Sequence, residues 1–187
     1  MSASEDKFEI VAYDQAWPER FEEEASRLRC ALGTLAVRIE HNGSTSVPGL
    51  AAKPIIDIQV SVASVQPIEP YIEPLRSLGY VHVPHPDDTF SPFFHRPAQW
   101  PHSHHVHMVQ AGGNEERRTL AFRDYLRDHA EVAHEYEQLK RSLADELTPR
   151  DRESREAYAL AKTEFIERVV GLALASGYPR TLINPID

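Results

Sequence analysis

A single cysteine, Cys30, stands in the chain, so no internal disulfide can form and the small cross-linked secreted scaffolds are excluded. Long apolar runs are missing as well: no stretch approaches the roughly eighteen uninterrupted apolar residues that a membrane-crossing helix needs. The start, MSASEDKFEI, is acidic and has no apolar segment of the kind a secretory signal carries. The expected location is therefore the cytoplasm, with no membrane partner. Positive charge is in deficit, 20 Lys and Arg against 29 Asp and Glu, a formal net charge of −9. A field of that sign repels a polyanion, so long nucleic acid is not an expected partner, whereas a small anion held in a local pocket is compatible with it. Internal repeats and evident linkers are also lacking. A length of 187 residues suits one sizeable core, so the expected organisation is one domain over 1–187, with a sheet carried by 1–113 and a helical part over 114–187.

What is present is periodic. Phe8 to Tyr13 reads as a short strand, and Asp14 as the cap of a helix with Pro18 in its first turn. Phe21, Ala25, Leu28 and Leu32 recur at helical spacing until Gly33 stops the pattern, and Cys30 within it is expected to be core. Leu35 to Glu40 alternates as a strand, Ile55 to Val62 is richly β-branched, Pro67 to Leu78 predicts a short helix, and Tyr80 to Val83 another strand. A proline- and histidine-rich stretch to about Ser103 reads as a long loop, His104 to Gln110 as a strand, and the remainder from Asn114 as helix. On this reading the chemistry lies mostly before residue 114.

Between the strands at 35 and 55 lies HNGSTSVPGLAAKPIIDIQV, residues 41 to 60. A glycine followed by hydroxyl residues, Gly43 then Ser44 and Thr45, lets backbone N–H groups approach a phosphate and adds side-chain donors. Asp57 on the adjoining strand could hold a divalent cation against that phosphate, with Lys53 as a further positive charge. The competing reading is structural: Gly43, Pro48 and Gly49 make a tight connection, Ser44 and Thr45 cap a short helix, and Asp57 pairs with Lys53 or an arginine. A charge amid Ile55, Ile56, Ile58 and Val60 needs a dedicated partner, which favours function for Asp57.

His95, His102, His104, His105 and His107 crowd one window. His105 and His107 share a strand face, and with Asp57 they would make a set of two histidines and one carboxylate suited to zinc, manganese or iron. Strand histidines that hydrogen-bond to backbone or line a polar pocket are the alternative. His41, just before the loop, is a further candidate for orienting a phosphate. In the helical half, Arg123, Lys140 and Lys162 alternate with Tyr125, Tyr136 and Tyr158, so cations could clamp distal phosphates while a tyrosine stacks on a base; solvated helix faces are the alternative.

The run GSTSVPGLAAKPIIDI resembles the hallmark of the GrpB family, and HHVHMV, LAFRDYLRDHAEVAHEYEQLKRSLA and AYALAKTEFI resemble its downstream pattern, so the resemblance covers most of the chain. It implies the nucleotidyltransferase-like fold of the DNA polymerase beta superfamily: an α+β domain with a mixed, mostly antiparallel sheet flanked by helices and a helical C-terminal half. In that superfamily a Gly-Ser pair lies under the nucleotide phosphates, two acids one residue apart sit on the next strand, and a third sits on a later one. Carried over, Gly43 and Ser44 match the phosphate loop and Asp57 the first acid, His107 stands about where the third acid would be, and Gln59 departs from the second. Lys140 and Lys162 join the phosphate-binding candidates on the same resemblance.

The implied activity is transfer of a nucleotidyl group from a nucleoside triphosphate, or use of another phosphorylated small molecule, with magnesium as the expected cofactor and zinc or manganese as the alternative. Asp57 and His107 are the catalytic candidates. A non-catalytic nucleotide-binding module, which Gln59 favours, and a metal-dependent hydrolase built on the histidines are the competing functions.

Overall fold

A computed structural model describes residues 8–148 and 151–180, apart from the side chains of Pro86 and Asp87. Helix α1 (Trp17–Leu32) buries Phe21, Ala25, Leu28 and Leu32 along one stripe, as their spacing predicts, and Gly33 at φ 54° ends it. Cys30 falls off that stripe and is exposed, which corrects the expectation of a core cysteine. Asp14 does not cap the helix: Ala16 occupies that position, and the Asp14 carboxylate accepts the Ala16 N–H at 2.9 Å.

Among the described residues five strands follow: β1 (Ala36–Asn42), β2 (Ile56–Val62), β3 (Val81–His82), β4 (Phe93–Arg96) and β5 (His104–Gln110), with α2 (Glu69–Ser77) between β2 and β3. They form one sheet in the order β1-β2-β5-β4-β3. β2 and β5 run parallel, and the other three pairings are antiparallel, so the sheet is mixed and mostly antiparallel, as expected. β4 lies inside the stretch read as loop. Its four residues, between Pro92 and Pro97, are too few to signal a strand alone and exist as one through pairing with β5. Phe8 to Tyr13, conversely, makes only an isolated bridge, Val11 with Ala52, because the segment it meets offers a single pairing position.

The two sheet faces differ in kind. Ile56, Ile58, Val60 and Val62 of β2 join Val106 and Met108 of β5 and Phe94 of β4 in a core closed by α1 and α2. Because side chains alternate along a strand, Asp57, Gln59 and Ser61 take the opposite face, where Gln59 and Ser61 meet Thr119 and Glu116 of α3 (Asn114–Asp128). That layer is polar and largely paired: Arg38 NH2 pairs with Glu116 Oε2 at 2.8 Å, Ser61 and the Gly112 N–H also donate to Glu116, and Arg123 NH1 reaches Glu40 at 2.9 Å, while the Gln59 Nε2 is buried without a hydrogen-bond partner among the described residues.

Beyond it, α4 (Ala130–Glu146), α5 (Arg152–Leu160) and α6 (Thr163–Ala175) complete the helical half. Tyr136, Phe165 and Val169 pack on Val47 and Leu50, and Phe8 packs on Tyr158. These contacts bring the helices onto the turn after β1, and with it onto the candidate site.

Candidate phosphate and metal site

The turn after β1 is set by Gly43, which has φ 64°. Ser44–Ser46 then makes one 3-10 turn, in which the Ser46 N–H and hydroxyl both return to the Gly43 carbonyl, at 3.2 and 2.6 Å. Arg127 of α3 clamps the Ser46 carbonyl with Nε and NH2 at 3.0 and 2.8 Å, so the helical half fixes the loop. Strand register places Asn42 of β1 opposite Asp57 of β2, Asp57 opposite His105 of β5, and His105 opposite His95 of β4. Gly43 therefore abuts Asp57, and all these groups share the face that holds the site.

His105 Nδ1 donates to Asp57 Oδ1 at 3.1 Å, and His105 Nε2 lies 3.1 Å from His102 Nδ1. His107 enters from the next position on the same face, and its ring makes no hydrogen bond among the described residues. Asp57, His105 and His107 each offer one ligand atom, all within 4.8 Å of one another. Burial works to raise the Asp57 pKa, but the hydrogen bond from His105 and the charges of His105, His107 and Lys53 outweigh it and hold the carboxyl below its ordinary value. Burial brings His107 down to about 4, partly offset by Asp57.

Three lysines arrive from three parts of the chain. Lys53, on the approach to β2, has Nζ 4.9 Å from the Phe8 ring centre and 4.4 Å from that of Tyr158. Lys162, which precedes α6, lies 4.4 Å from the same Tyr158 ring. Lys140 of α4 donates to the Ala51 carbonyl and sits 4.9 Å from the Tyr136 ring centre. Burial lowers all three, Lys53 to about 8 and Lys140 and Lys162 to about 7; Lys53 further depresses the other two, and Asp57 opposes the shift in each. An ammonium in this position gains from any anion that enters.

Two candidates from the helical half, Lys140 and Lys162, thus lie in the electrostatic reach of the aspartate beside the loop. Others do not face the site. Thr45 is buried with its hydroxyl 3.0 Å from His41 Nε2, and His41 stacks on Phe21 at 4.7 Å, so both serve the core rather than a phosphate. Arg123 is committed to Glu40, Asp124 and the His41 carbonyl and is no clamp. Tyr136 makes a hydrogen bond with Ser44, and Tyr158 is the platform for two lysines, roles that no local sequence signal announced. Gln59 is fully buried beneath α3, where its carbonyl oxygen accepts from Asn42 at 3.3 Å and from the Thr119 hydroxyl.

The profile of the GrpB protein family matches residues 7–171. A UPF0157 protein of Pseudomonas aeruginosa is 39% identical over 178 residues, spanning 94% of this chain and 71% of that one. A dephospho-CoA kinase of Mycolicibacterium paratuberculosis is 32% identical over 157 residues, spanning 71% of this chain but 39% of the kinase. Among solved structures, the conserved protein GrpB from Enterococcus faecalis superposes with a TM-score of 0.78 at 34% identity, over 90% of this chain and 98% of that one.

Proposed function

Given that this chain belongs to the GrpB protein family, we propose that it binds a nucleoside triphosphate, or a similar phosphorylated small molecule, on the Gly43–Ser44 turn and transfers a nucleotidyl group from it to an acceptor. The observation that carries this reading is the gathering of Lys53, Lys140 and Lys162 around Asp57, with Glu137 also acting on Lys140, beside a turn in which a glycine precedes a hydroxyl. When protonated, the three lysines outnumber the carboxylates of Asp57 and Glu137 and leave positive charge in excess, and a polyphosphate matches it. In this reading the lysines neutralise phosphate oxygens, and the Ser44 hydroxyl and the open backbone at Gly43 position one of them.

A divalent cation at Asp57 would draw off the charge that develops on the phosphoryl oxygens. Magnesium prefers oxygen ligands and is commonly held by one or two carboxylates with the substrate's own phosphates. Asp57 supplies one carboxylate here, and the oxygen of Gln59, at the position of the expected second acid, is already taken by Asn42 and Thr119. The donor set thus accommodates one magnesium ion carried in with the nucleotide, not a pair held by protein acids. The engagement of Gln59 also favours a second reading, a module that binds the nucleotide without transferring it.

Pyrophosphate release separates the two. Incubation with each nucleoside triphosphate and magnesium, over a panel of small hydroxyl and amine acceptors, is expected to give pyrophosphate that is lost in Asp57→Ala. Nucleotide binding with no pyrophosphate from any pairing would select the module instead. The similarity to part of a protein named for a kinase activity is in keeping with phosphorylated ligands, while resting on 39% of that protein's length.

A further inference from the structure

We propose that Asp57, His105 and His107 form a binding site for one transition-metal dication of the zinc class, selected over magnesium, in which His102 orients His105. The site shares Asp57 with the one above but does not depend on a nucleotide being bound, and an ion of this class would take the place at Asp57 that the proposed function gives to magnesium.

Strand geometry brings the three side chains together. Asp57 and His105 are register partners on parallel strands, and His107 lies two residues on, so all three leave the same face. Their ligand atoms lie within 4.8 Å of one another. A tetrahedral ion with ligands at about 2.0–2.1 Å spaces them about 3.4 Å apart, so small side-chain rotations close the set. Two of the three donors are imidazole nitrogens, which suit zinc, manganese or cobalt and are poor ligands for magnesium. The ring of His107 has no structural task in the hydrogen-bond network of the described residues, and Phe93 packs against both rings, 5.0 Å from that of His105 and 4.9 Å from that of His107.

The surroundings of His105 supply the second argument. A ligating histidine commonly donates its other ring N–H to a fixed acceptor, which sets the tautomer and the ring's orientation. With Nδ1 turned to the ion, the His105 proton resides on Nε2, 3.1 Å from His102 Nδ1. His102 is itself held by stacking on His95 at 3.9 Å, and His95 Nδ1 donates to the Pro97 carbonyl at 2.9 Å. A relay from Pro97 through His95 and His102 to His105 therefore fixes one donor beside Asp57, which makes His102 a positioning residue.

The test uses the full chain, stripped with chelator and free of nucleotide, titrated with Co2+ as an optical probe and then with Zn2+ and Mg2+ as competitors. One Co2+ per chain is expected, with a visible band that Zn2+ abolishes and excess Mg2+ leaves intact. Asp57→Asn and His107→Gln should each weaken binding by about 100-fold, and His102→Phe by about 10-fold with a shifted band that His102→Asn, which retains an acceptor, restores. Circular dichroism of each variant confirms its fold, and either of the first two variants suffices. Absence of Co2+ binding, displacement of Co2+ by Mg2+, or unchanged binding in a folded His107→Gln or Asp57→Asn protein would overturn the metal site; an unshifted band in His102→Phe would overturn the role of His102. Failure of the protein to bind nucleotide would leave every one of these readings in place.

Discussion

Gly43 faces Asp57 so closely that a β-carbon at position 43 would lie 2.7 Å from the Asp57 β-carbon. Real β-carbons do not approach that near, and φ 64° at Gly43 is itself unfavourable for any other residue. The turn and the aspartate are therefore one unit. Gly43→Ala should cost roughly 1–3 kcal/mol of stability and lower the melting temperature by several degrees, through strain and displacement of Asp57. It should also abolish ligand binding. Thermal denaturation beside binding measurements checks this; a Gly43→Ala variant with normal stability and affinity would uncouple the turn from the carboxylate.

The lysines give the protein a pH dependence of definite sign. Unfolded, their ammonium groups titrate near 10.5; folded, burial brings them to about 8 for Lys53 and about 7 for Lys140 and Lys162. In between, the unfolded chain holds protons that the folded chain lacks, so their contribution to stability grows as pH rises toward the unfolded value and is lost as pH falls through the folded ones. Urea midpoints should be higher at about pH 9 than at about pH 6.5, and Lys162→Met should flatten the difference. A slope unaltered in that variant would remove Lys162 from the account.

Polyphosphate binding should run the other way. An anion favours the charged ammoniums, so its affinity falls as pH rises past their folded values, and binding below that range needs no proton uptake. Titration calorimetry at about pH 8 in buffers of different ionisation enthalpy should show protons taken up on binding. Heats independent of buffer would mean that the lysines do not meet the ligand.

Gln59 separates the scaffold from the chemistry. Gln59→Glu keeps the shape and an acceptor for Asn42 and Thr119, but places a carboxylate in a fully buried position. The protein should lose stability, on the order of 2–4 kcal/mol, and recover part of it in magnesium if position 59 borders the cation. A melting temperature that ignores magnesium would show that β2 has only one position, Asp57, turned to the site.

The polar layer beneath α3 is held by Arg38 and Glu116, and Glu116 is fully buried. Arg38→Met strands that carboxylate with only Ser61 and the Gly112 N–H as donors. The expected cost is roughly 3–5 kcal/mol, read from urea denaturation, with nucleotide affinity unchanged in the folded fraction.

Much of the sheet was legible because burial left its mark on composition. β2 and β5 carry β-branched and alternating runs, and α1 carries a clear helical stripe. β4 was not legible, since Phe93–Arg96 is a strand only by pairing with β5 on one side and β3 on the other. The Phe8 to Tyr13 alternation misled for the opposite reason, a strand-like pattern with almost nothing to pair with. In the site, Gly43, Ser44 and Asp57 could be read from local spacing, and His105 with His107 from the two-residue period of a strand. Lys140 and Lys162 came only from family resemblance, because an amphipathic helix does not announce which of its lysines turns inward. The Tyr136 bond to Ser44 and the His102 contact to His105 depend on tertiary placement, to which short-range patterns are blind.

The most direct test of the central claim is titration calorimetry of nucleoside triphosphates into the protein, with and without magnesium, for the wild type, Asp57→Ala and the double variant Lys140→Met/Lys162→Met. The account predicts saturable binding that magnesium strengthens, loss of the magnesium effect in Asp57→Ala, and affinity reduced by about 100-fold in the double lysine variant. No binding of any nucleotide by the wild type, or binding indifferent to both sets of changes, would contradict it.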